Sequence, residues 1–201
     1  FPPCAASQCK SHSSVKSRVK RTDMQTPFNL YEIPAGKDAP EIVNVIIEVP
    51  RNSSNKYEYD KEFGVIKLDR VLYASMSYPG DYGFIPSTLG GDGDPLDVVL
   101  LSTHAFHVGV MVEARVVGVL VMSDDKGDDE KVLAVPANDP RWDGRVTLAD
   151  VQQHRLAEIE HFFAEYKSLE GKSVQTKGWR DKAEAMEIVL EAMQRAKDAK
   201  K

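Results

Sequence analysis

Cysteine is nearly missing from this chain. Of 201 residues only Cys4 and Cys9 are cysteines, and both lie at the extreme N-terminal end. A disulfide-built core and a cysteine nucleophile in the body are therefore excluded, while a small Cys4–Cys9 loop and two incidental thiols both stay open. No run approaches the ~18–20 apolar residues that a membrane-spanning helix needs, so no span is expected. No Gly-Lys-Ser/Thr follows Gly90-Gly91, which removes a P-loop, and no G-x-S-x-G elbow is present. Positive charge is also scarce where it counts. Residues 1–27 carry five bases and one acid, whereas the remaining 174 residues carry 21 bases and 30 acids, a balance of −9. A body of that sign is a poor binder of nucleic acid or of anionic membrane. If it handles a polyanion, cations must come with it.

What is there divides into three stretches. Residues 1–27 are basic, Ser-rich and without hydrophobic period. They read as a tail: a linker, the remnant of an organellar targeting segment, or a basic interaction arm. Opening on Phe1, the chain reads as a processed or truncated piece of something longer. Residues 28–201 form the body. In it Val43, Val45, Ile47 and Val49 alternate with Asn44, Ile46 and Glu48, a period of two that predicts a strand. Lys56–Asp60, Gly64–Asp69, Leu96–Leu101, Val110–Met122 and Lys131–Val135 continue the series, punctuated by Pro79, Pro86, Pro95 and Pro136. Short strands parted by Gly, Pro and Asp turns predict a small barrel or sandwich. The last third is helical. Thr147-x-x-Asp150 has the form of a capping box and opens a stretch carrying Leu148, Val151, Leu156, Ile159, Phe163 and Tyr166 on roughly one face, with Gly171 just beyond its end. A second helix spans about Asp181–Lys197. Both are expected to pack against the barrel.

The sharpest chemical feature is Gly90-Gly91-Asp92-Gly93-Asp94-Pro95-Leu96-Asp97-Val98, three carboxylates within six residues between a glycine loop and an apolar strand. Held together near a core, such groups repel and take up protons unless a cation neutralises them. Hard divalent cations suit the set, because Mg²⁺ takes oxygen ligands at roughly 2.1 Å and usually keeps some waters. An EF-hand starting at Asp92 fails, since it needs an acid, a glycine and a glutamate where the chain has Leu96, Asp97 and Thr103. Taken alone, the loop reads equally as a solvated turn. A second acidic run, Ser123 to Lys131, is either an exposed hairpin turn or part of the same site. Glu48 is a lone acid in an apolar strand, facing either water or that site. Lys56, Arg70 and Lys131, with Tyr78, Tyr82 and Tyr166, are individually surface or packing residues. As a set they supply what phosphate oxygens want. His104 and His107 have no Cys or further acid to complete a zinc set, and they read with His154 and His161 as surface or packing residues.

The motif Asp92-Gly93-Asp94-Pro95-Leu96-Asp97-Val98 resembles the signature of the family I soluble inorganic pyrophosphatases. The resemblance extends, in order, through Ile33–Pro40, Ile46–Pro50, Lys56–Lys61, Leu68–Arg70, Tyr78–Pro86, Val117–Asp124 and His161–Glu170, covering about residues 29–197. It is closer to the compact bacterial-type branch than to the longer fungal and animal enzymes. It implies a mainly β fold with α, a five-stranded OB-like β-barrel flanked by two C-terminal α-helices, with residues 28–201 as the catalytic domain. The implied activity is metal-dependent hydrolysis of pyrophosphate to two orthophosphates. Asp92, Asp97 and Asp129 would hold activating metals, and Asp124 and Glu48 would contribute to further, substrate-borne ones. Asp94 would be the general base, with Tyr82 hydrogen-bonding nearby. Lys56, Arg70, Tyr82, Lys131, Tyr166 and Lys167 would bind phosphate, and Glu58 and Tyr78 would line the site. The cofactor implied is Mg²⁺, several ions per site, with Mn²⁺, Zn²⁺ or Co²⁺ as substitutes. The partners implied are pyrophosphate and further copies of the chain, as a hexamer, tetramer or dimer, with no nucleic acid. The basic tail departs from the family pattern and leaves the compartment open: cytoplasm, plastid, mitochondrion or an acidic phosphate-storing organelle.

The chemistry is coherent without the resemblance. Phosphoryl transfer needs charge neutralisation and in-line positioning more than a covalent side-chain intermediate. A carboxylate base then accepts a proton from a water already acidified by metal, and Lys and Arg meet the leaving group's charge. Two other readings compete with it. One is a barrel that sequesters divalent cations or binds a polyanion through its tail, against which the body lacks a basic groove with interleaved aromatics. The other is hydrolysis of longer polyphosphates or nucleotides in the same site.

Overall fold

The computed structural model describes residues 29–124, 127–143 and 146–200. The basic segment 1–27 with Cys4 and Cys9 lies outside the described residues, as do Asp125 and Lys126 of the second acidic run. Among the described residues, nine strands and two α-helices follow one another as β1 (Ile42–Val49), β2 (Asn55–Asp60), β3 (Val65–Val71), β4 (Asp81–Phe84), β5 (Asp97–Leu100), β6 (Met111–Asp124), β7 (Gly127–Asp128), β8 (Lys131–Pro136), α1 (Gln153–Glu165), β9 (Gln175–Arg180) and α2 (Lys182–Asp198). Hydrogen bonding runs β1-β4-β5-β8-β6, and β6 pairs back to β1, closing a five-stranded barrel. All its pairings are antiparallel except β5 with β8. Strands β2 and β3 form a separate hairpin. Among the described residues, no helix is long and apolar enough to cross a membrane.

The period of two decides what each face of the barrel wall touches. Val98, Leu100, Val132 and Ala134 share a buried cluster with Ala185, Val189 and Ala192 of α2. Their neighbours Val99, Leu101, Leu133 and Val135 share another with Leu156, Ile159, Phe162 and Phe163 of α1. Both faces of β8 are therefore covered, and every one of its residues is buried. That is why Lys131–Val135 reads as an unbroken apolar run after its first residue. Helix α2 begins where the sequence places it, with the Asp181 side chain accepting from the Glu184 N–H at 3.0 Å.

Two expectations need correction, and two strands were not foreseen. The Asp150 carboxylate does accept the Thr147 N–H at 2.8 Å and its hydroxyl at 2.9 Å, but this cap closes only a short 3-10 turn, Leu148–Asp150. Buried Val151 then adopts extended backbone, so the helix restarts at Gln153. Gly171, in the left-handed region at φ 72°, caps a later 3-10 turn, Ser168–Glu170, rather than α1 itself. Strands β4 and β9 carry no alternation to find. All four residues of β4 are buried between β1 and β5, and β9 is a half-exposed polar strand along β6.

Gly83 shows how tightly β4 crosses β1. A Cβ there would sit 1.8 Å from the Ile46 carbonyl oxygen. Gly83→Ala must displace backbone rather than a side chain, and a loss of stability of about 2–4 kcal/mol is expected. Urea unfolding measures it, and an unchanged midpoint would contradict the close approach.

Candidate active site

The register of the barrel carries most of the chemistry to one end. Tyr82 of β4 faces Val99 across the ladder, Phe84 faces Asp97, and Asp97 lies beside Lys131 in the parallel β5–β8 pair. Between β4 and β5 the glycine loop is closed by the Gly90 N–H on the Asp94 carbonyl at 2.7 Å and by the Asp94 N–H on the Asp92 carboxylate at 3.1 Å. The loop also lies against β7, for a Cβ on Gly91 would stand 3.0 Å from the Asp128 carbonyl oxygen. Residues 92–97 and residue 129, far apart in the chain, therefore meet. On the other side, the β2–β3 ladder sets Lys56 opposite Arg70.

These elements enclose a cavity of about 620 Å³. Of the residues expected in a site, Glu48, Lys56, Glu58, Tyr82, Asp92, Asp94, Asp97, Asp129, Lys131, Tyr166 and Lys167 line it. Tyr78 does not line it. Its ring packs on Tyr82 at 5.2 Å and on Phe162 at 4.8 Å, so it is fully buried behind the wall, with its hydroxyl unpartnered. Arg70 also stands off the wall, held by carboxylates on two sides, although its neighbour Asp69 and its ladder partner Lys56 are part of it. Asp124 ends β6, and its side chain lies outside what is described. Sequence reasoning missed Asp69, whose carboxylate meets both Arg70 (2.5 Å) and Lys56 (3.6 Å), although it lies inside the Leu68–Arg70 motif. It also missed Tyr31, whose ring leans edge-on against Tyr59 and Phe84 and which no periodicity marks.

Lys131 organises the electrostatics. Its buried ammonium donates to Asp97 at 2.5 Å and also to Asp129, while the Tyr82 hydroxyl donates to the same Asp97 oxygen at 2.5 Å. Burial works against the lysine's charge, but Asp97 and Asp129 outweigh it and hold its pKa above the ordinary value. Burial, and then Asp97, raise Tyr82 well above a free phenol, so it is a fixed donor. Asp92 is raised by burial and by the charges of Asp97, Asp129 and Asp94, against the Asp94 N–H that favours its ionised form. Glu48 sits where the β1–β4 register shifts, between Ile47 and Val49. That irregularity accompanies a buried carboxylate accepting from the Tyr59 N–H at 2.7 Å, so Glu48 faces the site rather than water. Burial pushes it up to about 8, opposed by the Tyr59 N–H and reinforced by Asp97.

Comparison with known proteins follows the same outline. The family profile of inorganic pyrophosphatase matches residues 45–197. The chain belongs to the inorganic pyrophosphatase family. It is 54% identical over 172 residues to the inorganic pyrophosphatase of Thermus thermophilus, spanning 84% of this chain and 98% of that one. It is 47% identical over 163 residues to that of Sulfolobus acidocaldarius, spanning 80% and 94%. The crystal structure of the Thermus thermophilus protein superposes with a TM-score of 0.82 over 85% of this chain and 99% of its own. The type I enzyme of Toxoplasma gondii, at 27% identity, still reaches 0.73 over 83% and 84%.

Membership in this family implies dependence on a divalent metal. The residues fit one. Asp92, Asp97 and Asp129 offer hard oxygen donors, and burial first, then neighbouring carboxylates, raise Asp92 and Asp129 above the ordinary range, Asp129 against the opposing charge of Lys131. Among the described residues no three or more acid, His or Cys side chains stand as a group that could hold an ion by itself, and the Lys131 ammonium pairs with both Asp97 and Asp129.

Glu48 gives a pH test in chelator-treated protein. Its folded pKa of about 8 lies above the ordinary value of 4.5, so the folded state holds the extra proton between those limits and stability falls as pH rises through them. Glu48→Gln, which cannot ionise, is expected to flatten the fall in urea midpoint between pH 5 and pH 8. Equal slopes in the two proteins would contradict the burial.

Proposed function

We propose that this cavity is where the chain, as an inorganic pyrophosphatase, hydrolyses pyrophosphate to two orthophosphates, with Asp94 as the general base. The observation that carries the reading is the meeting of carboxylates from β1, the glycine loop, β5 and residue 129 with lysines from β2, β8 and the end of α1 around one space. Acids alone would repel the substrate, and bases alone could not acidify a water. Asp92, Asp97 and Asp129 would hold the activating Mg²⁺, with Asp124 and Glu48 contributing to ions that arrive with substrate. When bound, those ions lower the pKa of water and neutralise phosphate oxygens. The oxygen-only donor set supports Mg²⁺ as the working ion, with Mn²⁺, Zn²⁺ or Co²⁺ as substitutes.

The side chains divide the remaining work. Water attacks one phosphorus, a carboxylate oxygen of Asp94 takes its proton, and the bridging P–O bond breaks in line. The departing phosphate leaves with the bond's electron pair, and Lys56, Lys131, Lys167 and Arg70 meet its charge. Tyr82 and Tyr166 orient phosphate oxygens, while Tyr78 backs Tyr82 and Glu58 restrains Lys56 through their ion pair. Family resemblance supports a homo-oligomer, with a hexamer as the leading arrangement. The basic composition of residues 1–27 supports either a cytoplasmic or an organellar address.

Phosphate release from pyrophosphate with Mg²⁺ is expected to stop on adding a chelator and to return with excess Mg²⁺. Activity that survives the chelator would overturn the reading. Asp94→Asn is expected to lower kcat by about 10²–10⁴-fold, the usual contribution of a general base, while Mg²⁺ still raises the melting temperature. Full turnover in that variant would remove Asp94 from the role.

A further inference from the structure

Arg70 is gripped in a way that its place in the motif does not explain. Its Nε donates to a Glu170 carboxylate oxygen at 2.8 Å and its Nη1 to Asp69 at 2.5 Å. Its Nη2 is buried and has no hydrogen-bond partner. A guanidinium is a rigid planar fork, so fixing Nε and Nη1 fixes the direction of Nη2 as well. Leaving such a donor unpartnered is costly, and an acceptor reaching it from the cavity, whose wall holds its neighbours Asp69 and Lys56, would satisfy it.

Glu170 is placed to do the holding. Its side chain is only 7% exposed, and the Lys172 ammonium stands 3.8 Å from its second oxygen. It ends the 3-10 turn that follows Tyr166 and Lys167, both in the cavity wall, and its own N–H returns to the Lys167 carbonyl at 3.0 Å. Gly171, in the left-handed region, stops that turn at once. The β2–β3 hairpin that carries Lys56 and Arg70 is not part of the barrel sheet. A charge-assisted bond from Glu170 to Arg70 therefore ties the hairpin's cations to the phosphate-facing end of α1 across 100 residues of chain.

We propose that Glu170 is a positioning residue that aims the Arg70 guanidinium at a phosphate group of the substrate. This rests on the reading that Arg70 binds phosphate. Glu170 touches no reacting atom, and it acts through Arg70.

A double-mutant cycle tests it, with steady-state pyrophosphate hydrolysis at saturating Mg²⁺, binding of inorganic phosphate and thermal unfolding as readouts. Glu170→Gln keeps the shape and loses the charge. It is expected to melt near the wild type, to lose about 10- to 100-fold in kcat/KM, the scale of a misaimed binding group, and to weaken phosphate binding. Glu170→Asp should recover part of the loss. In an Arg70→Ala background the same Glu170→Gln change should cost less than about twofold, because the residue it serves is gone. Glu170→Gln with wild-type kinetics beside an impaired Arg70→Ala overturns the positioning role and leaves the Arg70 assignment standing. Losses that multiply in the double variant also overturn it, since they mark a support independent of Arg70. Arg70→Ala with wild-type kinetics removes the phosphate reading itself, and this inference with it.

Discussion

Everything at the working end of this molecule depends on keeping carboxylates together inside a protein. Asp97 and Asp129 are brought side by side by a parallel strand pair and the return of a hairpin, and the ammonium of Lys131 sits between them, 2% exposed. Without it, two partly desolvated anions would face each other in a low-dielectric wall and would have to bind protons. Lys131 is thus a resident cation of this wall. The carboxylates beyond its reach, Asp92 and Glu48, show what remains uncompensated, since burial and neighbouring acids leave both with raised affinity for protons. On the function proposed above, such a site would draw divalent cations, and through them an anionic substrate that the body's net charge would otherwise repel.

The scaffold makes this bearable by surrounding the polar end with apolar wall. One face of the barrel strands is sealed by α2 and the other by the aromatic face of α1, where Phe162, Phe163 and Tyr166 stack on one another and against Tyr78 and Tyr82. The phenol of Tyr82 reaches out of that packed layer to Asp97. Its donor direction is therefore set by the core and not by solvent, which is what preorganised stabilisation of charge requires. The hairpin of β2 and β3 forms its own sheet beside the barrel and brings the cations Lys56 and Arg70 together with the carboxylates Glu58 and Asp69. Its Arg70 is paired with Asp69 and Glu170, two carboxylates that stand where the periodicity of the chain is silent.

Much of this was legible in the chain. Apolar patterning marked β1, β6 and α2 to within a residue or two, because each of those elements carries several fully buried side chains. The Asp92–Asp97 loop stood out because glycine and proline bracket three acids there. Strand β4 was invisible by contrast, since its four residues are buried on all sides and one of them is a glycine crowded by the Ile46 carbonyl. The start of α1 was misread for a local reason: a real cap at Thr147 closes a turn that Val151 then breaks to enter the core. Glu48 could be read either way along the strand, and the register shift beside it is tied to its burial.

By itself, the order of residues determined the class of wall, the presence of hard anionic ligands and the bases to oppose them, because period, turn chemistry and charge are local properties. Only the tertiary structure decided that residue 129 approaches the loop at residue 92, that Lys131 neutralises two acids at once, that Tyr78 stands behind the wall, and that Glu170 grips Arg70. Those depend on strand register and on the closing of the barrel, which are fixed by how apolar faces pack at long range and leave no trace in any short window of the chain.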